Sequence, residues 1–150
     1  MSEGRMVIAL DEQSTHPIEL ERWAGLAEQV LADEGVEGYC ELNLTFVDSD
    51  EMAQLNGEHM GKDGPTDVLS FPIDDQPEEL PDGIPRLLGD VLICPEVVTK
   101  QAPEEPDDEM ALMVVHGVLH ILGMDHQEPD EEAEMKAAER RHLSSWRERR

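Results

Sequence analysis

The spacing of apolar and polar residues divides the chain into a short list of elements. Arg5 to Leu10 is a short apolar run and reads as a first strand. From Pro17 to about Glu34, Leu20, Trp23, Ala24, Ala27 and Val30 recur at helical spacing with Gly35 just beyond, which predicts an amphipathic helix. Glu41 to Val47 alternates, placing Leu42, Leu44 and Phe46 on one side of a half-buried strand. Ser49 can cap a short helix running to Asn56, and Gly57 to Pro65 reads as a glycine-rich loop. Asp67 to Phe71, ended by Pro72, is a third strand, and Leu87 to Ile93 a fourth. Between them Asp74 to Asp82 carries acids and prolines and reads as a solvated connection.

The second half of the chain is helical. Pro95 opens a short helix through Lys100, and Gln101 to Asp108 is another acidic connection. Met110 to Val115 and Val118 to Leu122 are apolar almost all round, the mark of a buried helix, which Asp107 or Asp108 can cap. The last helix runs from about Asp130 to Arg149, with its acids at the start and its bases near the end, in keeping with the helix dipole. Met135, Ala138, His142 and Trp146 form its packing stripe. The order of elements predicts an α+β fold: one domain over residues 1–150, a small mixed sheet packed by helices, and the Met110 helix central and buried.

Composition changes this picture little. A chain of 150 residues suits one hydrophobic core, and with aromatics only at Trp23, Tyr39, Phe46, Phe71 and Trp146 that core rests on Leu, Val, Ile and Met. No apolar run approaches the ~20 residues that cross a bilayer. Met6 to Leu10, followed at once by Asp11 and Glu12, is too short for a signal peptide. Cys40 and Cys94 stand in no metal-binding spacing and read as buried thiols of a cytoplasmic protein. The net charge of −25, with lysine only at Lys62, Lys100 and Lys136, changes more. It suits life at high salt, where self-repulsion is screened, or a surface for a basic partner, with the first reading favoured. It also argues against long-range attraction to nucleic acid.

The chemistry concentrates in the run from His116 to His126, reading His-Gly-Val-Leu-His-Ile-Leu-Gly-Met-Asp-His. Residues four apart share one helix face, so His116 and His120 can reach the same ion. In a continued helix His126 would lie about 9 Å further along the axis and rotated away. Gly123 removes that obstacle, because glycine readily takes the left-handed conformation that ends a helix and turns the chain. Three imidazoles then leave a fourth corner of a tetrahedron open, as in catalytic zinc sites. The position after the first histidine, where many zinc hydrolases keep a glutamate base, is Gly117. Gly117 costs about 1 kcal/mol inside a helix relative to alanine. Close packing on the sheet and room for substrate are equally good reasons for it.

With Pro65-Thr-Asp-Val-Leu-Ser-Phe-Pro72, Leu55-Asn56 and Leu88-Gly-Asp-Val91, this run resembles the YbeY family of bacterial rRNA-maturation endoribonucleases, from about Leu42 to His126. The histidine run alone is similar also to metzincin proteases, which lack the Pro65 to Pro72 block. The resemblance implies a zinc-dependent, single-strand-specific endoribonuclease acting in small-subunit rRNA maturation, including 3′ end processing, and in ribosome quality control. It implies one zinc ion, His116, His120 and His126 as ligands, and single-stranded or ribosomal RNA with the ribosomal subunit or its proteins as partners. Where family members often carry an arginine thought to handle phosphate, this chain has Met60; Lys62, two residues on, is the candidate replacement.

With no glutamate at position 117, no residue reads as the general base. Attack by metal-activated water and attack by the ribose 2′-hydroxyl both fit. Asp125 can orient a ligand imidazole or simply form the turn beside Gly123. His16 reads as a surface residue, His59 as a loop histidine that could face the cleft, and His142 as a packing residue. Arg140, Arg141, Arg147, Arg149 and Arg150 form the one basic cluster, explained equally by RNA contact and by the helix dipole. Two other classes compete with the endoribonuclease: a non-catalytic, zinc-stabilised ribosome assembly factor, and a zinc peptidase, which Gly117 disfavours.

Overall fold

The alternating stretch Cys40–Phe46 becomes one of two inner strands of a four-stranded sheet. The computed structural model describes residues 4–73, 76–124 and 128–149. In chain order its elements are β1 (Arg5–Asp11), α1 (Leu20–Asp33), β2 (Cys40–Phe46), α2 (Ser49–Met60), β3 (Val68–Pro72), β4 (Arg86–Ile93), α3 (Pro95–Gln101), α4 (Pro106–Ile121) and α5 (Pro129–Arg149). The strand order is β1-β2-β4-β3, parallel except for the antiparallel β3–β4 pair. This is the expected α+β fold with a mixed sheet.

Register gives the sheet two distinct faces. Val7, Leu42 and Gly89 are aligned across the strands, as are Ala9, Leu44 and Val91, so one face carries Leu42, Leu44, Phe46, Val91 and Ile93. These are fully buried against α1 and α4. Helix α1 contributes Trp23, Leu26, Ala27, Val30 and Leu31, the i, i+3, i+4, i+7, i+8 stripe of a core-facing helix. On the opposite face α2 covers one corner, where Met52 packs with Val47, Leu69 and Cys94. The rest of that face is open, and Ile8, Leu10 and Leu87 stand exposed there.

Three boundaries differ from expectation. Helix α1 starts at Leu20 rather than Pro17, its first turn closed by backbone bonds to the Glu19 carbonyl, and Ala24 is only half-buried while Leu26 and Leu31 are core. Helix α2 passes through Gly57 to Met60, because it is Gly61, at φ 65°, that takes the left-handed cap. The expected loop is shorter by that turn, and His59 and Met60 are helical. Helix α4 starts with Pro106 as its first residue and Glu105 at the cap position, with no side-chain cap bond. Asp107 and Asp108 therefore lie inside the first turn and do not cap it. Asp107 pairs with Arg22 at 2.9 Å, and Asp108 lies 3.9 Å from Arg147.

Candidate metal centre

Helix α4 is buried along most of its length, and the exceptions after Met110 are informative. Leu112, His116 and His120, spaced by four, form a half-buried stripe on an otherwise buried helix. The two imidazoles converge as their spacing predicts: the ring centroids are 4.7 Å apart with the planes at 63°. Glu109 lies seven residues before His116, on the same side of the helix. Burial, and secondly the charge of Asp67, push the Glu109 carboxyl above its ordinary range.

The helix reaches the sheet closely because Gly117 has no side chain. A Cβ at that position would stand 2.5 Å from Val91 Cγ1 and 3.4 Å from both Ser70 Oγ and Val68 Cγ2. The Ser70 hydroxyl donates to the Gly117 carbonyl at 3.1 Å. Of the two reasons for a glycine here, close packing is the one the structure displays. The serine of the Pro65 to Pro72 block thereby ties the backbone beside His116 to β3.

At the far end of α4, Gly123 takes φ 96°. Its N–H bonds the His120 carbonyl at 3.0 Å, and the Met124 N–H bonds the Leu119 carbonyl at 3.0 Å. This paired closure is how a left-handed residue ends a helix. The turn expected from Gly123 is therefore present, directly after His120. Asp125 and His126 lie outside the described residues, so the third expected ligand has no described position. Among the described residues no three metal-ligating side chains cluster.

The residue missed in the sequence is Glu139. Its Oε2 lies 2.5 Å from His116 Nδ1, and its side chain is only 14 % exposed. Together with Glu132, Met135 and Lys136, these two residues line a pocket of about 220 Å³ between α4 and α5. A signal was available. Met135, Glu139, His142 and Trp146 follow each other by four, three and four residues, so an acid sits within the predicted packing stripe of α5. An acid at such a position needs a partner. Imidazole is a favoured zinc ligand, and a carboxylate on one ring nitrogen is the usual way in which a ligand histidine is oriented.

The other candidates sit outside α4. Lys62 is exposed in the loop after α2, and Met60 is exposed at the helix end. His59 meets the edge of Phe71 at 5.0 Å. Phe71 is the strand neighbour of Ser70, so it points to the opposite face of the sheet, and His59 with Asp90 and Leu92 lines a separate groove there. Asn56 is buried and donates to the Gly64 carbonyl at 2.9 Å, closing the loop that holds Lys62. His16 Nδ1 lies 2.8 Å from the Thr15 hydroxyl. His142 is buried, with Nε2 2.6 Å from Glu34 Oε2. In the basic cluster, Arg141 reaches Glu34 at 3.1 Å. Cys40 and Cys94 are unpaired and buried, and burial pushes both thiols up, away from reactivity.

Comparison with known proteins gives a consistent result. Residues 9–147 match the family model described as Endoribonuclease YbeY. A protein of that name from Salinispora tropica is 43 % identical over 152 aligned positions, covering 95 % of this chain and 97 % of its own length. Another from Thermobifida fusca is 42 % identical, with 95 % of each chain covered. A solution structure from Thermotoga maritima superposes with a TM-score of 0.64 at 28 % identity, over 96 % of this chain and 93 % of that one.

Proposed function

Since the chain belongs to the YbeY endoribonuclease family, we propose that it is a metal-dependent endoribonuclease that cuts single-stranded RNA in small-subunit rRNA maturation, including 3′ end processing and ribosome quality control. The observation that carries this reading is the half-buried pair His116 and His120. These two imidazoles face each other on the one open stripe of a buried helix that ends at Gly123. His116, His120 and His126 would hold one zinc ion.

An ion held there supplies Lewis-acid polarisation of a phosphoryl oxygen and activation of the attacking hydroxyl. The chain's own residues supply position and charge. Gly117 and Ser70 seat the histidine helix against β3 and β4. Lys62, on the loop closed by Asn56, is the proposed phosphate contact in place of the family arginine that Met60 replaces. The absence of a glutamate at position 117 disfavours peptide hydrolysis. The proposed partners are ribosomal RNA and the small subunit, and the proposed compartment is the cytoplasm. No described helix is long and apolar enough to cross a membrane.

The test measures bound metal and the cleavage of single-stranded RNA, duplex RNA and an unstructured protein, beside His116→Ala and His120→Ala. About one zinc per chain is expected, with single-stranded RNA cut and the activity lost in both variants and on chelation. Cleavage that survives loss of both histidines would sink the reading. Metal-bound protein that binds ribosomal subunits but never cuts RNA would replace it with the assembly-factor reading.

A further inference from the structure

We propose that Glu139 is the positioning residue of the metal centre: its carboxylate fixes the His116 imidazole so that Nε2 is the nitrogen presented to the ion. The inference rests on the metal-site reading above and adds to it a residue from a different helix.

The chemistry follows from the short contact. Glu139 Oε2 lies 2.5 Å from His116 Nδ1, and in the proposed arrangement the carboxylate accepts from an Nδ1 that carries the proton, since a carboxylate has no donor of its own. A neutral imidazole has one N–H, and with Nδ1 protonated the lone pair lies on Nε2. The contact therefore selects both the tautomer and the rotation of the ring. It does so on the ring that faces His120 across 4.7 Å. Carboxylates placed in this way on ligand histidines also raise the basicity of the nitrogen that binds.

The helix that carries the carboxylate is docked on the rest of the fold. Glu139 lies on the buried stripe of α5, which is docked at two further points. Trp146 packs on Trp23 with centroids 5.9 Å apart, and His142 Nε2 lies 2.6 Å from Glu34 Oε2. The Arg22 guanidinium lies over both indoles, at 4.8 and 5.3 Å. The alternative is that the Glu139 pair only staples α5 to α4. A staple would affect melting, whereas a positioning residue also sets the tautomer and the ion affinity.

The experiment uses the full chain, stripped of metal, as wild type, Glu139→Ala and Glu139→Gln. Zinc affinity is read by competition with a chromophoric chelator. The His116 tautomer is read from long-range 1H–15N spectra of the stripped protein at a pH where imidazoles are neutral. The glutamine carbonyl can still accept from Nδ1–H, so Glu139→Gln should keep the Nδ1–H tautomer and lose only a few-fold in zinc affinity. Glu139→Ala should lose the tautomer preference and bind zinc roughly 10–100-fold more weakly. Wild-type affinity and tautomer in Glu139→Ala would overturn the proposal, as would equal affinity losses in both variants with the tautomer unchanged. If the wild type itself failed to bind zinc, the metal-site reading would fall. The tautomer spectra would still decide whether Glu139 fixes His116.

Discussion

Gly117 shows what a single missing side chain can decide. Its sequence context allowed two readings, and the atoms around it favour packing: Val91 Cγ1 stands where a Cβ would be in overlap, at 2.5 Å. Val91 is fully buried and β-branched, so it cannot swing aside. Gly117→Ala should gain about 1 kcal/mol of helix propensity and lose about 1–3 kcal/mol to overpacking. The net expectation is destabilisation by about 1 kcal/mol in denaturant unfolding. Val91→Ala removes the overlapping atom, so it should cost less in the Gly117→Ala background than in the wild type, and strictly additive effects would contradict the overlap. At this scale the convergence of His116 and His120 was legible, because their spacing carries the geometry. Glu139 was not, because it is one acid in a helix crowded with them, and only its place between Met135 and His142 sets it apart.

Helix ends were harder to read than helix faces. Pro17, Gly57 and Asp107 each carry a proper boundary signal, yet α1, α2 and α4 begin or end elsewhere. Several residues near each boundary could serve, and packing chooses among them. Gly123 had no competitor, and its φ of 96° ends α4 where the sequence indicated. That turn carries a prediction of its own. Alanine is strained in this region, so Gly123→Ala should destabilise by about 1–2 kcal/mol and lower the melting temperature by several degrees. Asparagine tolerates the left-handed conformation, so Gly123→Asn should recover most of the loss. Because His126 follows three residues later, zinc affinity should fall in Gly123→Ala and return in Gly123→Asn. Equal affinities in all three proteins would show that the turn does not serve the ligand set.

For the whole molecule, the class of fold was legible and the sheet order was not. Alternation places residues on faces, but that β4 and not β3 lies beside β2 depends on contacts distant in sequence. Charge acts at this same scale. At −25 the surface acids far outnumber their partners, and exposed ion pairs such as Lys136–Glu132 contribute little each. Self-repulsion should therefore dominate the response to salt. The screening length falls from about 30 Å at 0.01 M to about 10 Å at 0.1 M, so most repulsion is removed within that range. The melting temperature should rise steeply over it and then flatten, equally for sodium chloride and sodium sulfate at matched ionic strength. A rise that continues toward molar salt, larger for sulfate, would instead indicate exclusion of the salt from the protein surface. The same screening bears on substrate. Cationic proteins lose RNA as salt releases their hold on phosphate, with log K falling linearly against log salt. A chain this acidic repels RNA at a distance, and added monovalent salt weakens that repulsion. Its apparent affinity for single-stranded RNA should therefore hold or improve between 0.01 and 0.1 M. A steep fall would mean that a local basic surface governs binding, and Lys62 and the α5 arginines would be the first residues to neutralise.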